Sequence, residues 1–345
     1  MLARLWAIIY TLTMKILITG ADGLLGSNLV RVLLERGHTV RALIQAGRPQ
    51  LTLDGLPIER CIGDILLPET LAPAFEGMEA VIHAAASTSV WPARSEKMRR
   101  VVIEGTRNMI DAALNSGISR MICVGTSNSF SPGSTKENPG REGTPYICGH
   151  YGMDYMDSKY EAQKLLLEAH EEKGLPVLIV NPTFMIGPYD STPSSGTMLI
   201  RLYMGEIPGY TSGGKNWVHV RDVATAMANG LTMGVPGECY IVGNKNLSYG
   251  EFFRKAAAVL GVAAPRLNMP RPLVLATGAI GSLTASITGK PPLLSFPMAR
   301  VACDGHYYDV SKAREHLAMP ATPLETAVEE SFNWLRDNGY VEARA

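Results

Sequence analysis

Apolar residues along this chain fall into short, nearly continuous runs, separated by longer stretches with helical spacing. Lys15–Thr19 reads as a strand. After a glycine-rich turn, a helix pattern runs from Leu24 to Arg36 and ends at Gly37-His38. Further strands are predicted over Thr39–Ile44, Ile58–Ile62, Ala80–Ala85, Arg120–Val124 and Pro176–Val180. Helices are predicted over Glu104–Asn115, before Gly117, and over Tyr155–Glu172, before Gly174. Strands alternating with helices predict an α/β fold, a Rossmann-type doubly wound parallel sheet with helices on both faces. The unbroken apolar character of the strands suits a sheet covered on both sides.

After Pro182 the alternation loosens, and Pro, Gly and Ser become frequent between Gly187 and Gly214. Residues 14–180 are therefore expected to form the first domain and 181–340 mainly a smaller, interleaved C-terminal lobe. Residues 217–245 are expected to return to the main domain, with Trp217–Ala228 leading back to the sheet, Tyr240–Val242 a strand, and then Tyr249–Leu260 a helix. The uncharged stretch Pro272–Gly289 predicts a buried or amphipathic helix rather than a membrane span, with an apolar character suited to lining a hydrophobic pocket. Leu5–Leu12 is apolar but too short to cross a bilayer. Residues 1–13 read as an extension before a natural start at Met14.

Composition narrows the function classes. Among 345 residues, 32 basic side chains balance 32 acidic ones, so no positive field is available for nucleic acid. Five scattered cysteines without a Cys-x-x-Cys pair argue against a disulfide framework or a metal site and for a reducing, cytoplasmic compartment.

The turn Thr19-Gly20-Ala21-Asp22-Gly23-Leu24-Leu25-Gly26 lies between the first strand and the first helix. Gly20 permits a tight turn, Gly23 lets the backbone approach a pyrophosphate, and Gly26 allows close packing of helix on sheet. Free N–H groups at the helix start then face the phosphates. The end of the second strand carries Arg41, Gln45 and Arg48 and no acid, which favours NADP(H) over NAD(H). Asp64-Ile65, after the third strand, stands where an adenine edge would be held, and Asp64 equally suits a helix cap before Pro68.

Tyr155 and Lys159 are four residues apart and share a helix face. A nearby ammonium lowers a phenol's pKa, and a tuned tyrosine exchanges a proton with a substrate oxygen near neutral pH. Taken alone, the pair could be two solvated side chains.

These segments occur in one order with His83-Ala84-Ala85-Ala86, Glu104-Gly105-Thr106-x-Asn108, Asn181-Pro182-Thr183 and Trp217-Val218-His219-Val220-Arg221-Asp222. Together they resemble the extended short-chain dehydrogenase/reductase (epimerase/dehydratase) family, from Met14 to about Tyr340. The loop from Gly187-Pro188-Tyr189-Asp190 and the closing Trp334-Leu335-x-x-Asn338-Gly339 are most like the dihydroflavonol 4-reductase and 3β-hydroxysteroid dehydrogenase branch. The resemblance implies a catalytic set of Thr126, with Ser127 as the fallback, Tyr155 and Lys159. It implies cofactor contacts from Ala84, Ala85, Ala86, Pro182 and Thr183. It also implies a homodimer through the helices at 104–115 and 155–172.

Two positions depart from the family pattern. Val102 stands where Asn is common, so an Asn–water proton relay is not expected, and Asn181 stands where Arg is usual. Substrate contacts are placed by position at Ser87, Trp91, Thr126, Ser127, Met185 and Tyr189, with Trp91 and Tyr189 suited to a flat or apolar carbonyl or alcohol. The expected activity is interconversion of a ketone or aldehyde with an alcohol by hydride transfer. A nucleotide-sugar epimerase or dehydratase is the alternative, although Lys215 and Arg201 fall short of an arginine clamp. A non-catalytic dinucleotide sensor is the third reading.

Overall fold

The computed structural model describes residues 13–341. The expectation for residues 1–13 falls almost wholly outside them. Seven parallel strands form the central sheet: β1 (Lys15–Thr19), β2 (Thr39–Ile44), β3 (Glu59–Ile62), β4 (Ala80–His83), β5 (Arg120–Val124), β6 (Val177–Pro182) and, numbered in chain order, β10 (Cys239–Val242). Their order across the sheet is β10-β6-β5-β4-β1-β2-β3. The order reverses between β1 and β4, and in such sheets the crevice beyond the carboxyl ends of the strands at that point receives the ligand.

Helices α1 (Leu24–Glu35), α2 (Leu71–Phe75), α3 (Glu96–Ser116) and α4 (Asp154–Lys173) connect the first six strands. The main core takes in Ile16, Leu17, Ile18, Ile82, Ile122 and Ile179, all fully buried, as the apolar strand runs predict. Helix α3 begins two turns earlier than the periodicity suggests. The Ser95 hydroxyl caps it by accepting from the Met98 N–H. Strand β4 stops at His83, freeing Ala84–Ala86 for the crevice.

The second lobe is built on a four-stranded sheet of β7 (Phe184–Ile186), β9 (Gly214–His219), β11 (Lys245–Ser248) and β13 (Gly305–His306). A two-stranded pair joins β8 (Gly209–Tyr210) to β12 (Leu267–Asn268). The lobe's helices are α5 (Gly196–Met204), α7 (Tyr249–Leu260), α8 (Arg271–Thr288), α9 (Phe296–Cys303) and α11 (Leu324–Asp337), while α10 (Ser311–His316) packs on β10 and joins the main core through Ala313. Its core centres on Trp217, stacked on Phe252 at 3.7 Å between ring centroids.

The stretch 217–245 is divided between the two units. Trp217–His219 lie in the small sheet, not the main one. Helix α6 (Val220–Asn229) packs on α1, and β10 extends the main sheet beside β6. Helix α8 occupies the uncharged stretch as a helix, but only Val274, Gly278 and Ala285 are buried; the rest of its surface is wholly or partly exposed. No helix among the described residues is long and apolar enough to cross a membrane.

Candidate active site

The glycine turn is built for close approach. Gly20 adopts φ 70°, and a Cβ there would lie 2.7 Å from the Ala85 nitrogen. The Thr19 hydroxyl fixes the same junction, accepting from the Ala85 N–H at 3.2 Å and pairing with His83 Nδ1 at 2.8 Å. Burial, aided by the Lys159 charge, lowers His83 to about 3 and keeps it neutral. Gly23 caps α1 without a side-chain hydrogen bond, so the first-turn N–H groups of Leu24, Leu25 and Gly26 face outward from the turn that also holds Asp22. A cradle that a Cβ would fill, backed by unpaired helix N–H groups, fits a dinucleotide pyrophosphate.

At the ribose end the structure corrects one expectation. Arg41 does not face the cofactor crevice. Its Nη1 donates to the carbonyls of Pro73, Ala74 and Glu76, and its guanidinium faces Glu59. Arg41 lies within β2, three residues before the carboxyl end, where local contacts hold its side chain. Arg48 lies exposed beyond that end. Gln45 donates to Asp64 Oδ2 at 2.7 Å, while Asp64 Oδ1 accepts from the Leu66 N–H at 2.9 Å. Asp64 thus shapes its own turn. Helix α3 secures that turn: Asn108 Nδ2 donates to the Ile65 carbonyl at 2.8 Å, and Gly105 leaves room for the Ile65 side chain.

Tyr155 and Lys159 project from the first turns of α4. Arg94 locks the start of this helix, bridging Asp154 and Asp157 at 2.8 Å each, while the Ser95 N–H donates to Asp154 Oδ2 at 2.6 Å. Burial pushes the Asp154 carboxyl up, but these hydrogen bonds and the Arg94 and Arg99 charges outweigh it and hold it below its usual value. Sequence reasoning missed this lock because its members lie about sixty positions apart.

Lys159 is buried, and its Nζ donates to the Val124 carbonyl at 2.7 Å. Burial lowers its pKa to about 8. For Tyr155, burial raises the phenol's pKa and hydrogen bonding with the Thr126 side chain partly offsets it. Desolvation of the phenolate sets the direction for Tyr155, upward, opposite to the depression expected from Lys159. Thr126 is buried, caps the 3₁₀ turn Ser127–Ser129, and accepts from the Asn128 N–H at 3.3 Å. Ser127 is turned to a different partner, the Tyr308 hydroxyl.

Behind this set, Asn181 is fully buried. Its Nδ2 donates to the Thr126 carbonyl at 3.1 Å and to Gln163 Oε1 at 2.7 Å. The replacement of the usual Arg therefore acts on the support of Thr126, through a bond to its backbone. A cavity of about 10 Å³ lies between Lys159 and Gln163, lined also by His83, Thr106 and Val102. That is near the lower limit for one water, and Val102 offers it no polar atom.

The surroundings of Tyr155 are apolar on one side: Met98, Val102, Ala162 and Ala86 pack with it. On another are Cys148, Met153, Tyr151 and Val301. Lys215, on β9, lies near Cys148 and His306, which burial keeps neutral, and desolvation lowers its own pKa to about 8.

Among the positions expected to touch substrate, Ser87 and Trp91 lie in the partly buried loop after β4, and Met185 is partly buried on β7. Tyr189 is a correction. Its ring is taken up by the Arg31 guanidinium at 3.6 Å and by Trp334 at 5.9 Å, so it serves packing between α1 and α11. Pro182 ends β6, and Thr183 Oγ1 donates to Asn216 Oδ1 at 2.9 Å.

A glycine-cradled helix N-terminus at the switch point of a parallel sheet, with a hydroxyl, a phenol and an ammonium beside it, defines a dinucleotide-dependent enzyme of the Rossmann class. Residues 16–243 match the family model described as the NAD dependent epimerase/dehydratase family. The chain belongs to that family and is an NAD(P)-dependent enzyme of its oxidoreductase and dehydratase kind. A putative dihydroflavonol 4-reductase of Synechocystis is 30% identical over 335 residues, 95% of this chain and 96% of that protein. Sterol demethylase protein B of Methylococcus capsulatus is 30% identical over 332 residues, 95% of this chain and 100% of that protein. The crystal structure of gox2253 superposes with a TM-score of 0.84 at 32% identity, covering 96% of this chain and 100% of that one.

Proposed function

We propose that the protein is an NADP(H)-dependent carbonyl reductase or alcohol dehydrogenase acting on a fairly apolar ketone, aldehyde or alcohol. The observation that carries this reading is the Tyr155 phenol, hydrogen-bonded by Thr126 and set in a largely apolar wall beside the glycine cradle. When bound, the nicotinamide cofactor supplies or accepts the hydride. The chain supplies position and the proton. Burial keeps Tyr155 protonated, so in the reductive direction it donates a proton to the substrate oxygen. Thr126 orients that oxygen through its hydroxyl. Lys159, anchored on the Val124 carbonyl, holds positive charge at the floor of the site and would bind the nicotinamide ribose.

The names of two relatives, a putative dihydroflavonol 4-reductase and a sterol demethylase protein, agree with an apolar cyclic substrate. The NADP(H) preference rests on Arg48 beyond β2 and on Gln45 where an NAD enzyme would carry an acid. Lys215 favours a second reading, a nucleotide-sugar epimerase or dehydratase, since a partly buried cation on β9 suits an anionic substrate group.

The test is NADPH oxidation, followed by absorbance, against a panel of ketones, aldehydes and nucleotide sugars. Net oxidation with an apolar carbonyl, reduced about 10²–10⁴-fold in Tyr155→Phe with cofactor still bound, is expected. Full turnover by that variant refutes the role of Tyr155. Turnover of a nucleotide sugar without net NADPH loss selects the second reading. Tighter binding of NADH than NADPH overturns the cofactor preference.

A further inference from the structure

Helix α8 leaves an apolar stripe facing outward. Leu273, Ile280, Leu283 and Ile287 are all exposed, Ile287 at 77%. At about 100° per residue they fall within about 80° of one another around the helix. Leu293 and Phe296, on the segment that turns into α9, are exposed as well. On its other side α8 packs through Val274, Gly278 and Ala285, which are buried. Gly278 and Gly281 let α8 lie directly on the α9 segment, where a Cβ would meet Ala299 Cβ at 2.6 Å and the Leu294 carbonyl oxygen at 2.4 Å. Ser282 Oγ accepts from the Phe296 N–H at 2.8 Å. The hairpin is therefore a firmly built platform whose outward surface is greasy, and large contiguous exposed apolar surface marks an interaction site.

Charge indicates what covers it. From residue 252 to residue 303 the chain contains six Lys or Arg and no Asp or Glu, although the whole chain carries 32 of each sign. Arg271 opens α8, where its Nη1 pairs with Asp304 at 2.6 Å, and Lys290 follows the helix with Asp and Glu absent from its own segment. Arg266 lies just upstream, and all three are exposed. An apolar stripe flanked by cations, on a helix without an acidic residue, is complementary to an anionic lipid surface. A water-facing helix face would carry charges along its length, and this one carries none between Arg271 and Lys290.

The same hairpin reaches the active site. Met298 and Val301 of α9 pack with Cys148, Tyr151 and Tyr155. Arg300 Nη1 donates to the His150 carbonyl at 2.8 Å.

We propose that the α8–α9 hairpin docks this protein on the surface of an anionic lipid bilayer, with the stripe of Leu273, Ile280, Leu283 and Ile287 entering the acyl boundary and the flanking cations meeting phosphate headgroups. The helix lies on the membrane and does not span it. The docking surface stands whatever substrate Tyr155 serves.

The test is flotation of the full chain with vesicles of equimolar phosphatidylglycerol and phosphatidylcholine, compared with phosphatidylcholine alone. Co-flotation with the anionic vesicles, weakened by salt, is expected. Leu283→Glu/Ile287→Glu is expected to weaken it at least tenfold while leaving the melting temperature and cofactor binding unchanged, since both side chains face solvent. Arg266→Gln/Lys290→Gln is expected to weaken binding to anionic vesicles and flatten the salt dependence. The proposal is overturned if the full chain does not float. It is also overturned if the Leu283→Glu/Ile287→Glu variant floats as well as the parent, which would assign lipid contact to another part of the chain. Sedimentation without lipid supplies a further check: a self-associated parent that this variant disperses, with no flotation, would make the face a contact between copies.

Discussion

Gly23 and Gly26 are three residues apart in one turn, yet the structure gives them separable tasks. A Cβ on Gly26 would lie 2.0 Å from the Gly20 carbonyl oxygen and 2.8 Å from Ala21 Cα. Ordinary contact needs about 3.5 Å, so the turn would have to retreat by about 1.5 Å. The neighbours are backbone, with no flexible side chain to give way. Overpacking of this kind costs about 1–3 kcal/mol, and rigid neighbours place Gly26→Ala at the upper end. With an unfolding entropy of about 2.1 cal/mol/K per residue, about 3 kcal/mol lowers the melting temperature of this chain by about 4 °C. Gly23 differs. Its φ is −80°, and its Cβ would meet the Gly20 oxygen at an unstrained 3.5 Å. Gly23→Ala is therefore expected to melt within about 1 °C of the parent. It is also expected to lose cofactor affinity about 10–100-fold, the equivalent of one charge-assisted hydrogen bond to the pyrophosphate. Differential scanning fluorimetry without ligand and NADPH fluorescence titration separate the two effects. A Gly26→Ala protein with parental melting and parental affinity refutes the packing argument, and parental affinity in Gly23→Ala refutes the pyrophosphate assignment.

Three further outcomes are expected. Asn181→Leu leaves the Thr126 carbonyl and Gln163 Oε1 without their donor, at about 1–3 kcal/mol for each; thermal melts should show the loss, and kcat should fall with the cofactor dissociation constant unchanged. Lys159, with its pKa lowered to about 8 by burial, loses its charge as pH rises past that value, so kcat/KM should decline above about pH 8, and Lys159→Ala should remove that limb of the profile. Burial pushes Glu251 up, but hydrogen bonds from Lys136 and Ser248 outweigh it and bring it to about 2, below an unfolded value of about 4.3. Its contribution is complete above about pH 4.3 and lost as pH falls towards 2, so Glu251→Gln should flatten the stability profile in that window, as read by acid unfolding.

The alternation of strands and helices and the position of the glycine turn were legible without coordinates. Each depends on residues adjacent in the chain: apolar runs make strands, and glycines mark the turn where a side chain would collide. The common face of Tyr155 and Lys159 follows from helix geometry alone. The resemblance to the epimerase/dehydratase family was legible for the same reason, since its segments are short and keep their order.

Only the tertiary structure decided where side chains point and what they meet. Arg41 looked like a phosphate ligand and instead holds carbonyls at 73–76. Tyr189 looked like a substrate contact and is enclosed by Arg31 and Trp334. The expectation that Lys159 would depress Tyr155 gave way to desolvation, which depends on every atom packed around the phenol. The Arg94–Asp154 lock, the Asn181 bond behind Thr126 and the outward apolar face of α8 join residues distant in the chain, or depend on what the fold leaves uncovered. Periodicity and spacing carry local geometry, whereas burial, direction and partner choice are set by long-range packing, which a linear pattern does not encode.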